Sequence, residues 1–153
     1  MAGLSLYRRL LKRIHWEGVP WPETILYDYV SRKEIFQSYY RLVTDDVLAR
    51  RDSGSLLDVG TGPARLLQRI HELAPGMELA GIDLSPSMLA AARRNLAEAG
   101  LAEKVRIEHG SAEKIPFPSC AFDVVVSTAS IHHWKNPTAC LNEVYRVLKP
   151  GGH

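Results

Sequence analysis

The sequence has 153 residues, 46% of them hydrophobic and 24% charged, with a net charge of +2. That is the length and balance of one ordinary globular domain. A charge this small gives no case for a nucleic-acid partner, and no apolar run approaches the roughly 20 residues of a membrane span. The excess charge lies in the first 50 residues, with 8 Lys/Arg against 6 Asp/Glu, the rest of the chain carrying 11 of each. Cys120 and Cys140 have no metal-ligand spacing. They are expected to be buried free thiols in a reducing, cytoplasmic compartment, and no metal site is expected.

In residues 1–16, Leu4, Leu6, Leu10, Leu11 and Ile14 interleave with Arg8, Arg9, Lys12 and Arg13. The pattern predicts a basic amphipathic helix, either packed on its own domain or lying on a membrane surface or serving as a targeting segment. Gly18-Val19-Pro20-Trp21-Pro22 breaks it. Glu23–Arg50 is helical again in one or two segments, with Thr44 and Asp45 as a cap for the last. Tyr27, Tyr29, Tyr39 and Tyr40 are individually read as core residues, but the segment as a whole is read as a lid. The division expected is a helical cap over 1–52 and a main domain over 53–153.

Leu56-Leu57-Asp58-Val59 is a short apolar strand ending near an acid, and Gly60-Thr61-Gly62-Pro63-Ala64 turns into a segment with Leu66, Leu67, Ile70 and Leu73 at helical spacing. Gly60 and Gly62 allow a sharp turn and a ligand against bare backbone, and Pro63 suits a first helical turn. The loop lacks the Gly-Lys-Ser/Thr of a phosphate-binding P-loop. The sixth position counted from Gly60 is Arg65, where a dinucleotide fingerprint needs a small residue. Asp58 would repel a pyrophosphate but suit a ligand bearing a sulfonium and an ammonium.

Glu78–Asp83 reads as the second strand, and Asp83 falls about 20 residues past the loop, where a ribose-binding acid is expected. Ser85 and Pro86 open a helix buried through Leu89, Ala92, Leu96 and Ala99, and Gly100 ends it. Val105–Glu108 alternates like a strand. Phe122–Ser127, with its run of valines, is a strand buried on both faces. Ser127–Trp134 leaves that strand at its carboxyl end, where open α/β sheets bind ligands. Asn136-Pro137 opens a helix with Leu141, Val144 and Leu148 buried. Strands alternating with helices predict an α/β doubly wound, Rossmann-like parallel sheet.

Asp58-x-Gly60-x-Gly62-x-Ala64 resembles the first motif of class I S-adenosylmethionine-dependent methyltransferases, with Ala64 in place of a usual third glycine. Gly81-Ile82-Asp83-Leu84-Ser85 resembles their second motif, and Gly110–Phe117 their adenine-contacting segment, with Ser111 where Asp is common. Ser127–Trp134 and Leu148–Gly152 resemble the post-strand loop and the turn into a fifth strand in small-molecule enzymes of the ubiquinone-biosynthesis, methyltransferase type 11 kind. The resemblance spans about residues 54–153. It implies S-adenosyl-L-methionine bound by Asp58, Gly60, Gly62, Asp83, Leu84, Ser111, Ala112 and Ser127, and methyl transfer to a small-molecule acceptor. His132 and His133 are the candidate bases, needed only for a poor nucleophile; the plain alternative is that both are ordinary loop residues. A catalytically impaired cofactor- or partner-binding module is the competing reading, and a nicotinamide oxidoreductase is opposed by Asp58 and Arg65. The resemblance also implies about three further strands, so the chain is expected to be truncated, with one edge of the fourth strand open to self-association.

Overall fold

The computed structural model describes Tyr29 and residues 34–153, apart from the side chains of Ile35 and His132. The expectations for residues 1–16 and Tyr27 lie outside the described residues. In chain order the elements are α1 (Glu34–Arg50), β1 (Ser55–Val59), α2 (Arg65–Leu73), β2 (Glu78–Asp83), α3 (Pro86–Glu98), β3 (Val105–His109), β4 (Val124–Val126), a 3-10 turn (Ile131–His133) and α4 (Pro137–Val147). The four strands form one parallel sheet in the order β3-β2-β1-β4. This is the doubly wound α/β arrangement that the alternating pattern predicts.

Strand periodicity divides the core between the two faces of this sheet. On one face Leu56, Leu79, Val105 and Val124 pack with Tyr40 and Val47 of α1, Leu66 and Ile70 of α2 and Leu96 of α3. On the other, Leu57, Val59, Ala80 and Ile82 pack with Ile115, Phe117, Phe122 and Val147. Ser85 caps α3 by accepting from the Met88 N–H, and Asn136 caps α4 by accepting from the Ala139 N–H. Gly100, at φ 70°, closes α3 with the Leu101 N–H donating back to Leu96.

Several local expectations are corrected. Thr44 caps nothing: α1 runs through it unbroken, and its buried hydroxyl donates to the Tyr40 carbonyl one turn earlier (2.7 Å). Tyr40 is a core residue, while Tyr29 and Tyr39 are exposed. Pro63 precedes the helix, whose N-cap is Ala64 at a left-handed φ of 61° with no side-chain cap. Leu73, Ala99 and Leu141 are exposed, so α4 buries Cys140 and Val147 instead. Cys120 is exposed, whereas Cys140 is buried. Val125 and Val126 are only half-buried, because β4 lies at the sheet's end.

Polar ties hold that end. Asp123 accepts from the Lys149 ammonium (2.8 Å), the Ser55 N–H and hydroxyl (2.9 Å each) and the Arg51 guanidinium (3.0 Å). These donors, Lys149 first, hold its carboxyl far below the usual carboxylate range. The turn at Lys149–Gly152 brings His153 alongside β4, where its N–H donates to the Asp123 carbonyl (3.0 Å) and its carbonyl accepts from the Val125 N–H (2.8 Å). The outer edge of β4 is therefore occupied at those two groups.

Candidate functional site

Parallel pairing sends every strand's carboxyl end to the same side. The residues expected to bind a ligand gather there, because each lies at or just after the carboxyl end of a strand. The ties are direct. Asp83, at the end of β2, accepts from the Gly62 N–H (2.9 Å) and the Ser85 N–H (2.8 Å), so one carboxylate fixes both the glycine loop and the start of α3. The Gly60 and Thr61 N–H groups donate to the Ile82 carbonyl (2.9 Å each), and the Gly110 N–H to the Asp83 carbonyl (3.2 Å). Leu84 sits next to Asp83, its carbonyl 3.2 Å from Nε2 of His109. Burial raises the Asp83 carboxyl above its ordinary value against the pull of the Ser85, Gly62 and Leu84 backbone donors and of His109.

Asp58 is the chemical anomaly of the site. It is 1% exposed, and among the described residues neither of its carboxylate oxygens has a hydrogen-bond partner. Burial pushes its carboxyl from 3.8 up to about 7, with the Thr61 hydroxyl pulling back and the Asp83 charge adding to the rise. Thr61 is itself buried, and its hydroxyl lies outside hydrogen-bonding geometry. A buried acid without donors is costly to keep unless a ligand answers it.

Gly60 takes φ 81°, and a Cβ there would lie 2.5 Å from Cβ of Ser130. Its bareness is thus demanded by a residue of this chain, in addition to any ligand. Gly62, at φ 52°, is buried. Ser127 donates to the Val59 carbonyl (2.9 Å). Ser111 and Ala112 are half-buried, and the Ser111 hydroxyl accepts from the Glu113 N–H (3.2 Å).

The segment carrying them is held by α4. Glu143 accepts from the Ile115 N–H (2.8 Å), while Arg146 donates to the Ile115 (3.0 Å) and Phe117 (2.8 Å) carbonyls and pairs with Glu143 (2.7 Å). His133 is exposed at the end of the 3-10 turn, and the side chain of His132 lies outside the described residues. No group of three or more His, Cys, Asp or Glu is placed to hold a metal among the described residues. Sequence reasoning missed Ser130, Thr61, Glu143 and Arg146. Ser130, Glu143 and Arg146 act across long chain separations that no local pattern marks, whereas Thr61 bears on Asp58 from three residues away, within the glycine turn.

A family profile described as a methyltransferase domain matches residues 57–153. Among curated relatives, the demethylmenaquinone methyltransferase of Thermus thermophilus is 36% identical over 128 residues, covering 82% of this chain and 57% of that protein. The ubiquinone/menaquinone biosynthesis C-methyltransferase of Cereibacter sphaeroides is 38% identical over 107 residues, covering 70% and 43%. A crystal structure from Methanococcus maripaludis, designated an S-adenosyl-L-methionine-dependent methyltransferase, superimposes with a TM-score of 0.79 at 26% identity, covering 84% of this chain and 59% of that one. The chain spans about half the length of the curated relatives it matches.

Proposed function

This chain belongs to the class I S-adenosylmethionine-dependent methyltransferases, and on that footing we propose that it binds S-adenosyl-L-methionine and serves methyl transfer to a small-molecule acceptor. The observation that carries the reading is Asp58, a fully buried carboxylate with no hydrogen-bond partner among the described residues, beside a glycine loop. It fits a cationic ligand and opposes a pyrophosphate. When bound, the cofactor supplies an electrophilic methyl group on a sulfonium.

The chain's own residues bind and orient. Asp58 gives up its proton and meets the ligand's positive charge in a dry setting, where the attraction is strong. Asp83 keeps its Gly62 and Ser85 donors and has lone pairs left for ribose hydroxyls. Gly60 and Gly62 offer backbone at close range, Leu84, Ser111 and Ala112 frame the adenine end, and Ser127 stands at the wall after β4. Where the acceptor is a carbon acid or phenol, His132 or His133 takes its proton. The relatives named above are a demethylmenaquinone methyltransferase and a C-methyltransferase of ubiquinone/menaquinone biosynthesis, so quinol-type acceptors are the first class to assay.

Residues 1–52 form a cap beside the 53–153 domain, a reading supported by α1 packing on the α2 face through Tyr40 and Val47. The cytoplasm is the compartment proposed, and no helix among the described residues is long and apolar enough to cross a membrane. Membrane-surface contact by residues 1–16 and self-association along the remaining β4 edge belong to the same proposal. A binding module without turnover is the second reading, favoured by the exposure of His133.

The test is calorimetry of the chain with S-adenosylmethionine and S-adenosylhomocysteine, followed by methyl transfer to quinol acceptors. Micromolar binding with turnover supports the first reading, and binding without turnover the second. No binding of either ligand overturns both.

A further inference from the structure

β1 and β4 pair from Leu56 opposite Val124 to Asp58 opposite Val126 and then part, while β1 continues along β2 to Val59 opposite Ile82. Chain order reverses at this point in the sheet, which is where such folds open a crevice. The Val59 carbonyl, next in line, is taken by side chains instead of a strand. Ser127 Oγ lies 2.9 Å from it, Ser130 Oγ 3.0 Å, and the two hydroxyls 2.6 Å from each other. Two protons serve three contacts, so Ser127 can still hold the carbonyl when the Ser130 hydroxyl is lost, but the tie from that carbonyl to Ser130 is then gone.

Ala129, at a left-handed φ of 52°, turns the chain back so that Ser130 lies on Gly60. The Ser130 carbonyl then accepts from the His133 N–H (2.9 Å) and starts the Ile131–His133 turn. A single residue thus touches the glycine loop with its side chain and founds the next loop with its backbone.

We propose that Ser130, backed by Ser127, is a positioning residue that couples the glycine loop to the Ile131–His133 turn, so that a ligand seated on Gly60–Gly62 orders the loop carrying His132 and His133. The inference rests on the cofactor reading above and deepens it: cofactor binding organises the acceptor side. Ser130 need not touch either ligand. Its hydroxyl fixes one loop's position relative to the other, and Gly60 is bare so that it can.

The experiment measures amide exchange of His133 and Trp134 by NMR, with and without saturating S-adenosylhomocysteine, in the wild type, Ser130→Ala, Ser130→Thr and Ser127→Ala/Ser130→Ala. Calorimetry on the same samples gives Kd. In the wild type the ligand is expected to slow both amides by about tenfold or more. Ser130→Ala should keep Kd within about threefold yet lose most of that slowing, Ser130→Thr should restore it, and the double variant should abolish it. Undiminished protection in Ser130→Ala, or failure of the threonine hydroxyl to restore it, would overturn the coupling. Ligand binding to the wild type without slowing of these amides overturns this inference alone, whereas no binding at all overturns the cofactor reading and this inference with it.

Discussion

Replacing Asp58 with asparagine should make the free protein more stable and the ligand-binding protein worse. The carboxyl is 1% exposed and titrates at about 7 instead of 3.8. Between those values the folded chain keeps a proton that the unfolded chain has released. Stability therefore falls as pH rises through that window and levels off above about 7. The gap corresponds to about 4 kcal/mol at pH 8, an upper bound that a neutral amide removes. An unpartnered amide N–H returns about 1–2 kcal/mol of this, which leaves a net gain near ~2 kcal/mol, or roughly 4–8 °C in Tm for a chain of this size.

Affinity for S-adenosylhomocysteine should drop about 10- to 100-fold, the usual effect of losing a charge-assisted partner. Wild-type affinity should climb by about tenfold per pH unit up to 7 and then flatten, because the ligand needs the ionised acid. The Asp58→Asn protein should lack that slope. Thermal unfolding from pH 5 to 8 and calorimetry at the same pH values give the answer. Equal Tm at pH 8 together with equal affinity would show that Asp58 is neither strained nor a ligand group.

Other perturbations test other parts of the site. Asp83→Ala removes the acceptor for the Gly62 and Ser85 N–H groups. It should weaken S-adenosylhomocysteine binding by about 1–3 kcal/mol, and unchanged affinity by calorimetry would remove Asp83 from the cofactor site. Gly60→Ala combines a φ of 81° with a Cβ 2.5 Å from Ser130 and should cost about 2–4 kcal/mol in urea unfolding. Gly76→Ala, with nothing among the described residues within 4 Å of the added atom, should stay within about 0.5 kcal/mol; equal costs at the two positions would contradict the packing argument. Asp123→Asn should destabilise by about 1–2 kcal/mol at pH 7, discounted because Lys149 is 41% exposed. The folded Asp123 pKa is depressed, so its stabilisation is present above about pH 4 and lost as acid protonates it. The gap between the wild-type and variant unfolding curves should begin to narrow below about pH 4 and keep narrowing as the pH falls further, and a gap of constant size from about pH 7 down to about pH 2 would assign the effect to packing.

Much of this site is legible in the chain because its parts are local. Strand, glycine turn and helix follow one another within Leu56–Leu67, and Asp83 and Ser85 announce the end of β2 and the start of α3 by residue type alone. Parallel pairing then makes placement automatic, since residues after each strand must meet at one end of the sheet. Local signals mislead where burial depends on what lies across the chain. Thr44 looks like a cap, but it is buried where α1 packs on α2, and its hydroxyl bonds back within a helix that stays whole around it. Leu141 has the spacing of a core residue, yet α4 turns Cys140 and Val147 inward instead. The valines of β4 suggest two covered faces, and its place at the sheet's end leaves two of them half-open.

Short stretches of chain are enough to set the order of the elements, the glycine turn and the two acids, because backbone preference and side-chain charge are local properties. What those residues experience is fixed only in the folded molecule. Asp58 becomes an acid near pKa 7, without a hydrogen-bond partner among the described residues, because the packing around β1 shuts out water. Gly60 is obligatory because Ser130, far later in the chain, is folded back onto it. Desolvation and close contact are sums over neighbours distant in sequence, and they take values only once the sheet has brought those neighbours together.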